Sequence, residues 1–215
     1  MSEAADPRYS DYPDGFFDRI DSAPDSHFYA PTRLVTHIDD GAIAAVGELY
    51  VELGLTGPGS GTVLDLMSSW VSHFPVPPAS LTVLGMNAYE LGANPMADRR
   101  VIHDLNSDPT LPFLDAAFAA ALCCVSVDYL VRPLEVFDAV ARVVRAGGFF
   151  VCTFSNRCFP TKAIDGWMRT SDRGHTEIVA DYFRRSVGWD PPTISRRPTS
   201  GFDPIYAVWA RRKAH

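Results

Sequence analysis

Several short polar clusters in this chain have the residue types that bind or transform a small ligand. Asp65-Leu66-Met67-Ser68-Ser69-Trp70, Asn87-Ala88-Tyr89-Glu90, Asp104-Leu105-Asn106 and Ser126-Val127-Asp128-Tyr129 each follow a short apolar run. If those runs are parallel strands, the clusters gather at the carboxyl edge of the sheet, where such sheets bind ligands. Carboxylates, amides and hydroxyls gathered there suit a ligand with ribose hydroxyls, a polar base edge and an amino-acid end. Two histidines, His37 and His73, titrate near neutrality when unperturbed and are candidates for a general base. Arg33, Trp70, Asn156 and Arg157 are candidates for the substrate wall, since a guanidinium can clamp a carboxylate or phosphate by a bidentate pair.

The elements that must position these groups follow from periodicity. Asp39 and Asp40 precede Ile43, Val46, Leu49, Tyr50 and Leu53 at helical spacing, and an Asp is a good N-cap. Four glycines and a proline in 54–61 read as a loop. Thr62–Leu66, Leu81–Met86, Arg100–His103, Phe118–Val125 and Phe149–Phe154 read as buried strands, separated by turn and helical patterns. A helix with Val136, Phe137, Val140, Val143 and Val144 on one side is stopped by Gly147-Gly148. A helix near Ile178–Val187 and a strand pair at Ile194–Arg197 and Ile205–Ala210 complete the pattern. Buried strands alternating with helices imply parallel pairing and crossover connections. Trp167, Met168, Tyr182, Phe183 and Trp189 could floor an apolar substrate pocket, though such residues more often read as core. The first dozen residues, polar and acidic, read as mobile or draped over the surface.

Composition sets the bounds. The 215 residues are 47% hydrophobic and 21% charged, enough for one sizeable core with some elaboration. The 26 acidic residues exceed the 19 Lys and Arg, a net charge of −7 that disfavours a nucleic-acid or anionic-lipid partner. The apolar run 116–127 is too short to cross a bilayer, and no apolar signal core follows a charged start, so a cytoplasmic location is expected. Cys123, Cys124, Cys152 and Cys158 contain no C-x-x-C, and the histidines have no zinc spacing, so no metal site is expected. No G-x-S-x-G elbow, phosphate-cradling G-x-x-x-x-G-K or dinucleotide G-x-G-x-x-G follows a strand.

Asp65 closing the first strand, Leu111-Pro112-Phe113, the Phe118-led strand and Arg142-Val143-Val144-Arg145-Ala146-Gly147-Gly148-Phe149 occur in the order seen in one family. In these pieces the chain resembles class I S-adenosylmethionine-dependent methyltransferases, nearest the small-molecule branch called type 11. The resemblance runs from about Val63 to Phe154, with the strand near Ile205 as the antiparallel seventh. It implies a Rossmann-like α/β fold: a seven-stranded, mostly parallel sheet with an antiparallel last strand and an N-terminal helical lid. Residues 1–53 would form the N-terminal segment and lid helices, and 54–215 the α/β domain, together one compact unit.

The resemblance also implies roles. Asp65 would orient the first loop or bind the amino end of S-adenosylmethionine through water, and Met67, Ser68 and Ser69 would line the methionine part. Asn87 stands where the family carries the acid that accepts from both ribose hydroxyls, and Glu90 lies three residues on as a substitute. Asp104 and Leu105 match the adenine contacts, with Asn106 beside them, and Ser126 to Tyr129 match the segment facing the methyl group, which Tyr129 would shape. Met67, Ser69 and Val71 stand at positions where the family has glycines. Side chains there narrow the groove unless the loop takes another path. The expected activity is in-line methyl transfer to a small molecule, with a homo-oligomer left open. The alternative is a catalytically silent relative of the same fold that binds a ligand or partner.

Overall fold

In the computed structural model, residues 6–214 are described. The elements run α1 (Asp25–Tyr29), α2 (Asp40–Glu52), β1 (Gly57–Leu66), β2 (Pro78–Gly85), α3 (Ala88–Ala93), β3 (Arg99–Ile102), β4 (Phe118–Cys124), α4 (Pro133–Val143), β5 (Val144–Phe154), α5 (Asp165–Met168), α6 (Asp172–Arg185), β6 (Thr193–Arg197) and β7 (Ile205–Arg211). One seven-stranded sheet has the order β3-β2-β1-β4-β5-β7-β6. Strands β1 to β5 pair in parallel, and β7 runs antiparallel to both β5 and β6. Strand order reverses between β1 and β4, which puts a crevice at their carboxyl ends.

The period-two alternation of the strands builds two cores. Val63, Leu81, Val83, Ala120, Leu122 and Val151 face α2, while Leu64, Leu66, Leu84, Ala121, Phe150 and Cys152 face α4 and α6. Trp167, Tyr182, Phe183 and Trp189 lie in the second core, and Met168 is more exposed. Asp39 caps α2, its carboxylate accepting from the Ala42 amide at 2.8 Å.

Four details differ from the sequence expectation. Strand β1 begins at Gly57, inside the stretch read as a loop, and α6 begins at Asp172, ahead of the expected start. The connection from β1 to β2 contains no helix; Pro75, Pro77 and Pro78 deny it backbone donors. Helix α2 packs on a sheet face, so the expected helical lid is realised instead by short α1 and the extended segment 30–38. Residues 1–5 of the N-terminal stretch lie outside the described residues. From residue 6 onward that stretch is anchored: the Tyr9 hydroxyl donates to Glu135 at 2.5 Å and the Tyr12 hydroxyl to Asp181 at 2.7 Å.

A buried charge cluster ties the N-terminal stretch to the loop after β5. Lys162 is fully buried, 3.1 Å from carboxylate oxygens of both Asp21 and Asp25, and donates to the Ala23 carbonyl at 2.8 Å. Asp25 also receives Arg19 at 2.8 Å and Asn106 at 2.8 Å. Burial alone would raise the Asp25 carboxyl, but these donors outweigh it and hold it below the usual carboxylate range. Breaking such a cluster by removing one partner leaves a buried charge uncompensated. Lys162→Ala should therefore destabilise the fold by about 3–5 kcal/mol, read as a lowered urea midpoint with an unchanged slope. A shift below about 1 kcal/mol, the level of an exposed pair, would show that the cluster is solvated.

Candidate functional site

A cavity of about 290 Å³ opens at the carboxyl edge, over the ends of β1, β2, β3 and β4. It is near the low end of the ~300–1,000 Å³ usual for small-ligand pockets. The expected residues converge on it: Asp65, Met67, Ser68, Ser69, Trp70, Asn87, Glu90, Asp104, Leu105, Asn106, Ser126 and Tyr129 line it, as do Arg33, His37, His73 and Arg157. Asn156 does not; it is exposed, with its amide oxygen 3.3 Å from the Ser155 hydroxyl.

The loop after β1 takes a path that needs no glycine of its own. Met67 adopts φ 52°, and Val125, its counterpart just past β4, adopts φ 46°. Left-handed backbone at a β-branched residue is a genuine outlier, and strain of this kind concentrates at sites. The required glycine is on the neighbouring strand. The Ser68 amide donates to the Leu84 carbonyl at 2.8 Å, and a Cβ on Gly85 would meet the Ser68 carbonyl oxygen at 2.2 Å.

The loop's hydroxyls serve protein carboxylates. Ser68 and Ser72 donate to the same oxygen of Asp65, at 2.7 and 2.6 Å. The amide of fully buried Asn94 donates to the Ser72 hydroxyl at 2.9 Å. Ser69 donates to Glu90 at 2.5 Å. Burial pushes the Asp65 carboxyl up to about 6, against the lowering effect of the two serines. Asp128 also lies buried, its carboxyl pushed up to about 7 by burial, with Oδ2 unpartnered among the described residues.

The other side chains divide by what already holds them. Asn87 caps α3, its amide oxygen accepting from the amides of Tyr89 and Glu90, and its nitrogen donates to the carbonyls of Tyr29 and Ala30. Glu90 accepts from the Arg33 backbone amide at 2.7 Å, and the Trp70 indole donates to the Val35 carbonyl at 3.1 Å. These bonds fasten a strap, residues 29–35, across the cavity. Asn106 is fully engaged, with Asp25, the Tyr129 carbonyl and the Val131 amide. Asp104 uses Oδ1 to close a turn onto the amides of Asn106 and Ser107. Ser126 donates to the Cys124 carbonyl. Arg157 is tied through Nε to Asp203 at 2.8 Å.

At the strap end of the cavity, partial enclosure pulls the His37 imidazole below its usual range. Enclosure and the neighbouring His37 push His73 down to about 4. Both rings are therefore neutral at neutral pH and can accept a hydrogen bond. The Tyr129 hydroxyl accepts from the Phe159 amide at 2.8 Å, which sets the Phe159 ring edge-on to His37 at 5.2 Å. Phe159 and Cys158, from the loop after β5, and Tyr50 and Cys124 line the cavity as well. Phe159 sits five residues after Phe154, the end of β5, and that position after an apolar run was its available signal.

Asp65 carries a pH signature. Its folded-state value lies above the unfolded value near 4, so between the two the folded chain holds a proton that the unfolded chain has lost. Stability then falls as pH rises from about 4 to about 6, by roughly 3 kcal/mol. Asp65→Asn should lessen the fall over that interval by about that amount, leaving the separate contribution of Asp128, whose carboxyl is pushed up to about 7, measured by urea unfolding at stepped pH. An equally steep fall in the variant would acquit Asp65.

Residues 56–152 match the family model described as a methyltransferase domain. A search of curated proteins finds no match. Among solved structures, the chain is similar to geranyl diphosphate C-methyltransferase from Streptomyces coelicolor A3(2), at 17% identity over 79% of this chain and 77% of that one, with TM-score 0.53. It is also similar to a possible histamine N-methyltransferase from Thermotoga maritima, at 14% identity over 80% and 90%, with TM-score 0.57. The complex of the Haloferax volcanii Trm112 methyltransferase activator with a putative methyltransferase gives 13% identity over 82% and 91%, with TM-score 0.57. Sheet order, the crevice at the β1/β4 switch and these structural likenesses give the chain the fold of these methyltransferase structures, and its residues 56–152 match a methyltransferase domain.

Proposed function

We propose that this chain transfers a methyl group from S-adenosylmethionine to a small-molecule acceptor within the strap-covered cavity. The observation that carries the reading is the convergence of Asp65, Glu90 and Asp104 on one cavity at the switch point. This donor and acceptor set fits the cofactor. Glu90 would take the ribose hydroxyls, exchanging its bond from Ser69. Asp104, with Oδ1 closing a turn, has its other oxygen for the adenine amino group, beside Leu105. Asp65, Met67 and the loop serines would flank the amino-acid part. The sulfonium supplies a methyl group bound to a good, neutral leaving group, so the protein's share is mostly alignment.

The acceptor side is the strap end, with Trp70, Arg33, Phe159 and the two imidazoles. Tyr129 shapes the methyl site through the loop it holds. His37, the more basic of the two imidazoles, would take the proton of an acceptor hydroxyl or amine, with His73, neutral and weakly basic, as its neighbour. The enclosed cavity and the acidic surface favour a small acceptor over a nucleic acid. The similar structures include one solved with geranyl diphosphate, a small substrate, and one solved with a partner protein. Expected location is the cytoplasm; among the described residues no helix is long and apolar enough to cross a membrane.

The test is calorimetric titration of the full chain with S-adenosylmethionine and with S-adenosylhomocysteine. Micromolar binding is expected, and Asp104→Ala should weaken it by ~1.5–3 kcal/mol, the scale of a hydrogen bond to a charged group. No binding to either ligand by the folded chain would sink the reading. An unchanged dissociation constant in the variant would take Asp104 out of the site.

A further inference from the structure

Two guanidiniums line the cavity, and they differ in one respect. Arg157 is ion-paired with Asp203, whereas Arg33 has no ion pair among the described residues. Arg33 is nonetheless held in place. Its Nη1 donates to the carbonyls of Phe28 at 2.9 Å and Pro31 at 3.2 Å. Its guanidinium carbon lies 4.7 Å from the Phe28 ring centre and 5.7 Å from that of Phe159. The half-buried head is therefore positioned by neutral groups, with Nε and Nη2 left over for a ligand.

The loop after β1 supplies no competing hydroxyl. The hydroxyls of Ser68, Ser69 and Ser72, which could have replaced glycine contacts to a ligand carboxylate, are committed to Asp65 and Glu90. Asp65 there offers a carboxyl and suits an ammonium. A zwitterionic amino-acid end in the cavity would set its ammonium toward Asp65 and its carboxylate toward Arg33. We infer that Arg33, on the strap, is the residue that binds the α-carboxylate of the cofactor's amino-acid end, by charge-assisted hydrogen bonds from its free nitrogens. This rests on the cofactor reading above and adds to it that strap and cofactor are bonded directly.

The test compares two ligands that share the nucleoside and thioether but differ in the amino-acid end: S-adenosylhomocysteine and 5′-methylthioadenosine. Each is titrated calorimetrically, without acceptor, into the unaltered full chain, Arg33→Gln and Arg33→Lys. Arg33→Gln should weaken S-adenosylhomocysteine about 10- to 100-fold and leave 5′-methylthioadenosine within about twofold. Arg33→Lys should recover part of the loss, since it restores the charge without the fork. Unchanged affinity of Arg33→Gln for S-adenosylhomocysteine would overturn the assignment. Such a variant with impaired turnover would give Arg33 to an anion on the acceptor instead. An equal loss for both ligands would also overturn it, marking Arg33 as a structural support of the strap. If the unaltered chain binds neither ligand, the cofactor reading itself fails and this inference with it.

Discussion

The shape of the site depends on one enclosed carboxyl. Asp65 is the penultimate residue of the central strand, on the face covered by α2, and among the described residues no cation pairs with it. It is satisfied by two hydroxyls from the loop that immediately follows, and Asn94 steadies one of these from behind. A carboxyl buried with neutral donors sits high in its titration range, and the loop must stay folded against it to keep those donors in place. Met67 in left-handed backbone and the close passage of Ser68 over Gly85 are the geometry this closure demands. The loop thus holds its form by side-chain bonding, with no glycine of its own.

The second organising feature is the N-terminal stretch. It runs along α4 and α6 through Tyr9 and Tyr12, locks onto Lys162 through Asp21 and Asp25, and then crosses the cavity as the strap. The Lys162 cluster links it to the loop after β5, which carries Phe159, and Asn106 links it to the loop after β3. Three segments far apart in sequence meet at Asp25, so the cavity wall is fixed by tertiary bonding, and local turns alone would not define it.

The sheet and the cavity edge were legible in the sequence because both rest on local signals. Apolar runs such as Leu81–Gly85 and Phe118–Cys124 declare buried strands, and polar residues after each run are carried to the same edge by parallel pairing. Sixteen of the seventeen expected site residues line the cavity, all but Asn156. Their present partners were not legible. Nothing near Ser69 announces Glu90, and nothing near Asn87 announces the carbonyls of Tyr29 and Ala30, because these pairs depend on how the strap crosses the sheet edge. Lys162 gave no signal, since an isolated lysine in a loop reads as solvated until the fold encloses it. The onset of β1 at Gly57 was missed because four glycines outweigh strand pairing in any local reading.

The strap is gripped through its main chain. Asn87 holds the carbonyls of residues 29 and 30, Glu90 holds the amide of residue 33, and Trp70 holds the carbonyl of residue 35. None of these bonds consults the identity of a strap side chain. Closure is therefore encoded in the body of the protein, while the side chains of Tyr29, Arg33, Val35, Thr36 and His37 line the cavity. Related chains could diverge in what they accept by exchanging strap residues alone, with the fastening intact. Selectivity and closure are inherited here as separate traits.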